Sequence, residues 1–112
     1  MLKIYYNILT LNLSKIHFIL LAAGESTRFK AKENKLLSKI KDKTILEHNI
    51  EQLKKIGFKK ITLVIRNNSI LKDIKEKNIE LIKGGKTRTL SVKNALIKSK
   101  ITAKYVFIHD AA

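Results

Sequence analysis

The alternation of apolar runs with helical periodicity along this chain predicts an α/β fold with a mainly parallel sheet. Three observations carry that prediction. Four short apolar runs occur at residues 16–21, 60–65, 79–82 and 105–108. Stretches with apolar residues at helical spacing fall between them, giving the order β-α-β-α-β-α-β. Polar or glycine-bearing segments follow the strands, where parallel sheets with right-handed crossovers bind their ligands.

The first run, Ile16-His17-Phe18-Ile19-Leu20-Leu21, stops at small residues, as expected of a strand covered on both faces. Residues 24–34 are polar and charged with no sustained period, so they form a loop. Thr44-Ile45-Leu46-Glu47 has the spacing of a capping box, in which the threonine oxygen accepts from the amide three residues on and the glutamate reaches back. Leu46, Ile50 and Leu53 then line one helical face, Ile56 extends it, and Gly57 supplies a stop. Residues 60–65 make a second buried strand and residues 70–77 a weaker helix. Residues 79–82 form a short third strand ending at Gly84-Gly85. Residues 89–98 form a helix with Leu90, Ala95 and Leu96 at helical spacing, and Tyr105-Val106-Phe107-Ile108 is the fourth strand. Such elements assemble into a Rossmann-like three-layer sandwich, and the topology brings residues 22–35, 84–91 and 109–112 to one rim.

The chain's 112 residues fit one small domain, and a hydrophobic content of 45% is ordinary for a globular one. No proline, repeat or low-complexity tract marks a linker, so residues 15–112 read as one unit preceded by an extension, residues 1–14. The absence of cysteine excludes disulfides and thiolate metal sites and makes a reducing cytoplasm the expected setting. His17, His48 and His109 lack ligand spacing; the latter two are read as structural. Asn7, Asn12, Ser14, Lys15 and His17 interrupt the apolar character of the first 23 residues, so neither a signal peptide nor a membrane span fits. The net charge of +15 points toward phosphate-rich partners. Lysines outnumber arginines 21 to 3, however, and spread along the whole chain beside many isoleucines and asparagines, as AT-rich coding gives any protein. Without an aromatic-interleaved basic block, the charge alone does not indicate nucleic-acid binding.

Three nucleotide motifs are testable. A dinucleotide fingerprint needs three glycines after the first strand, and this loop has only Gly24. Gly85-Lys86-Thr87 has the tail of a P-loop, but the first glycine of that motif falls on Glu80 and the intervening residues are the strand itself. The third candidate is Leu21-Ala22-Ala23-Gly24-Glu25-Ser26-Thr27-Arg28-Phe29, followed by Lys35. Small residues let the backbone approach a nucleotide, while Arg28 and Lys35 supply positive charge where a phosphoryl group develops negative charge. A carboxylate at a strand end, Asp110, is a natural Mg²⁺ ligand when the substrate supplies the other oxygens.

Leu-Ala-Ala-Gly-x-x-x-Arg followed by lysine resembles the signature of nucleotidyltransferases that activate sugar phosphates. Gly84-Gly85-Lys86-Thr87-Arg88-Thr89-Leu90-Ser91-Val92 and Ile108-His109-Asp110-Ala111-Ala112 are similar to two further blocks of the 2-C-methyl-D-erythritol 4-phosphate cytidylyltransferase family. Thr44-Ile45-Leu46-Glu47-His48 matches that family's first helix. The resemblance runs from about residue 16 to the last, in the right order. It implies the N-terminal half of a nucleotidyltransferase fold and transfer of CMP from CTP to methylerythritol 4-phosphate in non-mevalonate isoprenoid synthesis.

Residue by residue, the resemblance implies that Ala22, Ala23 and Gly24 meet the base and ribose, and that Gly85 and Ser91 meet the cytosine edge. Arg28 and Lys35 hold the triphosphate, Arg88 shapes the loop or holds phosphate, Asp110 binds Mg²⁺, and Ala111 packs near the ribose. The family's Pro-Lys-Gln is replaced by Asn34-Lys35-Leu36, which leaves Lys32 as a competing lysine, and Ser26 replaces a common loop glycine. The resemblance also implies CTP and a sugar-alcohol phosphate as partners, neither nucleic acid nor membrane, and a homodimer for the complete protein. The chain stops soon after the fourth strand, and family members continue for about as many residues again. It is therefore expected to be a fragment, inactive alone, with a sheet edge left open to pairing. The competing readings are a ribitol 5-phosphate cytidylyltransferase, a basic nucleic-acid-binding module and a non-catalytic remnant of the enzyme.

Overall fold

Seven consecutive buried residues make β1 (Ile16–Ala22) the strand around which the sheet is built. The computed structural model of the chain describes residues 12–23, 39–66 and 78–111. A 3-10 turn, Leu13–Lys15, leads into β1, followed by β2 (Lys39–Ile40), β3 (Lys43–Thr44), α1 (Ile45–Ile56), β4 (Lys60–Ile65), β5 (Glu80–Lys83), α2 (Arg88–Lys98) and β6 (Tyr105–Asp110). The expected loop at residues 24–34 and helix at residues 70–77 lie outside the described residues. Four strands form one sheet in the order β5-β4-β1-β6, and every neighbouring pair is parallel.

Burial on both faces of β1 explains its unbroken apolar sequence, because successive side chains point to opposite sides. Ile16, Phe18, Leu20 and Ala22 share one core with Leu46, Ile50 and Leu53 of α1 and with Ile61, Leu63 and Ile65 of β4. Ile19, Leu21 and Ala23 share the other with Val64 and with Ala95 of α2. Helices therefore cover opposite faces of the sheet, the layering that the sequence predicts. Phe58 closes the first core in an edge-on contact with Phe18, ring centroids 5.0 Å apart.

The start of α1 follows its sequence. Thr44 Oγ1 accepts from the Glu47 amide at 3.1 Å, and the Glu47 carboxylate accepts from the Thr44 amide. Such caps contribute about 1 kcal/mol. Gly57 ends the helix at φ 129°, a conformation that side chains disfavour. A short antiparallel hairpin of β2 and β3, absent from the sequence reading, precedes the cap, with Lys41 and Asp42 at its turn at φ 54° and 67°. His48 fastens the hairpin to α1 by donating from Nε2 to the Ile40 carbonyl at 2.8 Å, the structural part expected of it.

Of the three apolar residues expected at helical spacing on α2, only Ala95 is fully buried. Ser91 and Ala95 face the sheet, whereas Leu90 and Leu96 are 42% and 47% exposed. The small Ala95 packs in one buried cluster with Ile19, Leu21 and Val64, which lets the helix sit close to the sheet and places its leucines at the flanks.

The amino-terminal end of the sheet holds a buried polar cluster. His17 Nε2 lies 2.6 Å from Thr62 Oγ1. Thr62 and Ser99 donate to the Glu80 carboxylate, which also accepts from the Lys100 amide. Burial pushes His17 below its ordinary value of 6.5 against the pull of Glu80, and Lys60 adds to the lowering. Burial raises Glu80, but the hydrogen bonds from Ser99, Lys100 and Thr62 outweigh it and hold the carboxyl below its ordinary 4.5. Both shifts carry the same sign. The stability contributed by His17 is complete above 6.5 and is lost as pH falls through the lowered folded value, and that of Glu80 is lost below 4.5 in the same way. The urea midpoint is therefore expected to fall between about pH 7 and about pH 5, and His17→Asn to flatten that slope. A wild-type midpoint independent of pH across this interval refutes the assignment.

Candidate functional site

A parallel sheet delivers all its strand ends to one rim, and hydrogen bonds beyond the ladders hold the loops there. Ala22 is level with Ile65, Ile65 with Lys83, and Leu21 with Asp110. The Ala111 amide donates to the Leu21 carbonyl at 2.8 Å, and the Gly84 amide donates to the Ile65 carbonyl at 2.8 Å. Ala22, Ala23 and Ala111 are buried.

Gly84 sits where these segments come closest. A Cβ there meets Ala23 Cβ at 2.5 Å and Ser91 Oγ at 2.7 Å, so the residue is fixed by lack of space rather than by an unusual φ. Ser91, in the first turn of α2, accepts from the Gly85 amide at 3.1 Å. Its hydroxyl is buried and braces the glycine loop in this conformation. Thr87 caps α2, its Oγ1 accepting from the Leu90 amide at 3.1 Å. The cap satisfies one orphan donor and leaves the positive end of the helix at the rim, a favourable place for phosphate.

Across the rim, Arg88 Nε lies 3.3 Å from Asp110 Oδ1, with both side chains about half exposed. The pair ties the start of α2 to the end of β6. His109 is exposed and bonds from its ring to the Asp110 carbonyl, again a structural contact. Ala22, Ala23, Gly85, Arg88, Ser91, Asp110 and Ala111 thus converge on one rim, as the sequence predicts. Gly24, Arg28 and Lys35, with the competing Lys32, lie outside the described residues.

Asn49 was not singled out by sequence reasoning. Its Nδ2 donates to the Ala111 carbonyl at 3.3 Å, tying α1 to the loop after β6. The signal lies in its spacing: residue 49 falls on the stripe of Leu46, Ile50 and Leu53, where a polar side chain needs a partner. Among the described residues no three His, Cys, Asp or Glu side chains cluster as a metal cage. Magnesium needs no such cage when phosphates and water supply most of its oxygens, and the single exposed carboxylate of Asp110 fits that donor set.

The family model for 2-C-methyl-D-erythritol 4-phosphate cytidylyltransferase, IspD, matches residues 16–112. The bifunctional enzyme IspD/IspF of Pelagibacter ubique is 43% identical over 99 residues, covering 85% of this chain and 27% of that protein. The 2-C-methyl-D-erythritol 4-phosphate cytidylyltransferase of Dictyoglomus thermophilum is 43% identical over 108 residues, covering 89% of this chain and 46% of that one. Among solved structures, the bifunctional IspDF from Campylobacter jejuni superposes with a TM-score of 0.70 at 34% identity, over 86% of this chain and 26% of that one. The 4-diphosphocytidyl-2C-methyl-D-erythritol synthase from Anaerococcus prevotii gives 0.65 at 29% identity, over 86% and 42%. The chain spans less than half the length of each of these relatives. No helix among the described residues is long and apolar enough to cross a membrane.

Proposed function

The chain belongs to the 2-C-methyl-D-erythritol 4-phosphate cytidylyltransferase family, and from that premise we propose that its rim is the CTP-binding part of an enzyme that transfers CMP to 2-C-methyl-D-erythritol 4-phosphate. The observation that carries this reading is the convergence of Ala23, Gly84, Gly85, Ser91 and Asp110 on one rim, with Gly84 too tightly packed to accept a side chain. In the reaction an oxygen of the 4-phosphate attacks the α-phosphorus of CTP. The bond from that phosphorus to its bridging oxygen breaks, and pyrophosphate leaves with the electron pair.

The substrate's phosphate is itself the nucleophile, so the residues of the chain bind and orient. Ala22, Ala23 and Gly24 admit the base and ribose, Gly85 and Ser91 meet the cytosine edge, and Ala111 packs by the ribose. Arg28 and Lys35 neutralise the triphosphate where charge develops, and Arg88 holds phosphate or the loop. Asp110 would hold Mg²⁺ together with triphosphate oxygens, and the ion when bound offsets phosphate charge. The reading includes a homodimer for the complete protein in a reducing cytoplasm, which the lack of cysteine supports, and it includes neither nucleic acid nor membrane as a partner.

Calorimetric titration of the chain with Mg·CTP and Mg·ATP tests the reading. Preferential, saturable binding of Mg·CTP that Arg28→Ala weakens by about tenfold or more is the expected outcome. Equal affinity for the two nucleotides, or binding that disappears steeply with salt as for a nonspecific polyanion site, overturns it.

A further inference from the structure

The amino-terminal end of the sheet carries a cavity that the proposed reaction leaves unused. It has a volume of about 360 Å³, within the range of small-molecule sites. Strands of six or seven residues separate it from the nucleotide rim by about 20 Å. Lys15, Lys60 and Lys104 line it, and its lining includes no acidic residue. Among the described residues none of the three lysines forms an ion pair. Three like charges around one small cavity repel each other, and an anion there relieves that repulsion.

Neutral donors complete the lining. Lys60 Nζ donates to Thr102 Oγ1 at 3.3 Å, which holds the ammonium on the wall and leaves the threonine hydroxyl able to donate. Asn12 Oδ1 accepts from the Ser14 amide at 3.1 Å, which orients the side chain and leaves its amide NH₂ as a donor. The remaining wall is apolar: Tyr105, with Lys104 Nζ 5.7 Å from its ring centroid, and the buried Ile16. Asn12 and Lys15 precede the stretch that the family model matches.

We propose that this cavity binds a phosphate group, carried as a monoester on a small apolar or aromatic body, at a site separate from the nucleotide rim. Lysine ammonium groups meet phosphate oxygens as point charges, Thr102 and Asn12 add hydrogen bonds, and the half-exposed Tyr105 ring receives the body of the ester.

The test uses amide NMR spectra of the 112-residue chain titrated with phenyl phosphate and, separately, with inorganic phosphate. Saturable shifts at Lys15, Lys104 and Tyr105 with phenyl phosphate are expected, with inorganic phosphate weaker. Equal saturable binding of both probes keeps the phosphate site but overturns the ester body. The exposed double variant Lys60→Gln/Lys104→Gln, checked for an unchanged circular-dichroism spectrum, is expected to weaken binding by about tenfold or more, while Mg·CTP affinity stays at the wild-type value. Shifts confined to Ala23, Gly84 and Asp110, shifts spread without saturation over the other lysines, or wild-type affinity in the double variant each overturn the proposal. Loss of CTP binding in the parent chain bears on the nucleotide rim alone.

Discussion

Gly84→Val is expected to abolish detectable Mg·CTP binding and to cost about 1–3 kcal/mol of stability, the usual penalty for forcing extra methyl groups into a packed site. Its first carbon alone falls 2.5 Å from Ala23 Cβ, 2.7 Å from Ser91 Oγ and 3.2 Å from Val64 Cγ1. None of these neighbours yields easily. Val64 is fully buried within β4, Ala23 follows directly on β1, and Ser91 is held by the Gly85 amide. The loop must therefore move, and moving it breaks the Gly84 hydrogen bond to Ile65 and displaces Gly85 from Ser91. Lys86→Val, two residues on and exposed, is the matched control, expected to keep both properties. Urea unfolding and calorimetric titration read the two effects. Wild-type stability and affinity in Gly84→Val refute the claim that this glycine keeps the rim closed.

The fold was legible wherever a local signal and its tertiary use coincide. The run from Ile16 is apolar without alternation because both faces of β1 are covered, and the Thr44 to Glu47 spacing produces the box it predicts. The hairpin at residues 39–44 was not legible, because Lys41 and Asp42 lack the glycine or asparagine that usually marks a left-handed turn. Helix α2 was legible only in part for another reason. Apolar spacing alone gives Leu90, Ala95 and Leu96 equal weight, but close approach to the sheet favours the small Ala95 and Ser91. That preference depends on the distance between layers, which no single helix sequence encodes.

At the rim, the sequence identified the segments better than their internal bonds. Topology alone predicts that the residues after β1, β5 and β6 share one edge, and the amides of Gly84 and Ala111 hold them there. Ser91 is the instructive case. A serine in a first helical turn commonly bonds to backbone, and here it does so across to Gly85 rather than within α2. A buried hydroxyl engaged with the Gly85 amide ties Ser91 to the geometry of the glycine loop, so a substitution at Ser91 changes the position of Gly85 as well. Asn49 acts similarly at a distance, since it fixes the Ala111 carbonyl from α1.

Asp110→Asn is expected to lower Mg²⁺-dependent CTP affinity by about tenfold or more, since even indirect partners of a metal site cost about 10–100-fold when replaced. Asparagine keeps the size and a carbonyl oxygen but removes the charge that a hard cation prefers. The rival account treats Asp110 as nothing more than the partner of Arg88. An ion pair with side chains 62% and 49% exposed contributes little stability, about 0–1 kcal/mol, so on that account Asp110→Asn and Arg88→Ala behave alike and barely alter folding. The two variants therefore separate the explanations. If Asp110 holds the metal, its replacement removes the dependence of CTP binding on Mg²⁺, whereas Arg88→Ala weakens binding but keeps that dependence. Titrations with CTP at saturating and zero Mg²⁺ measure the difference. An Asp110→Asn chain that still gains affinity on adding Mg²⁺, to the same extent as wild type, removes Asp110 from the metal site and leaves it as a tether between β6 and α2.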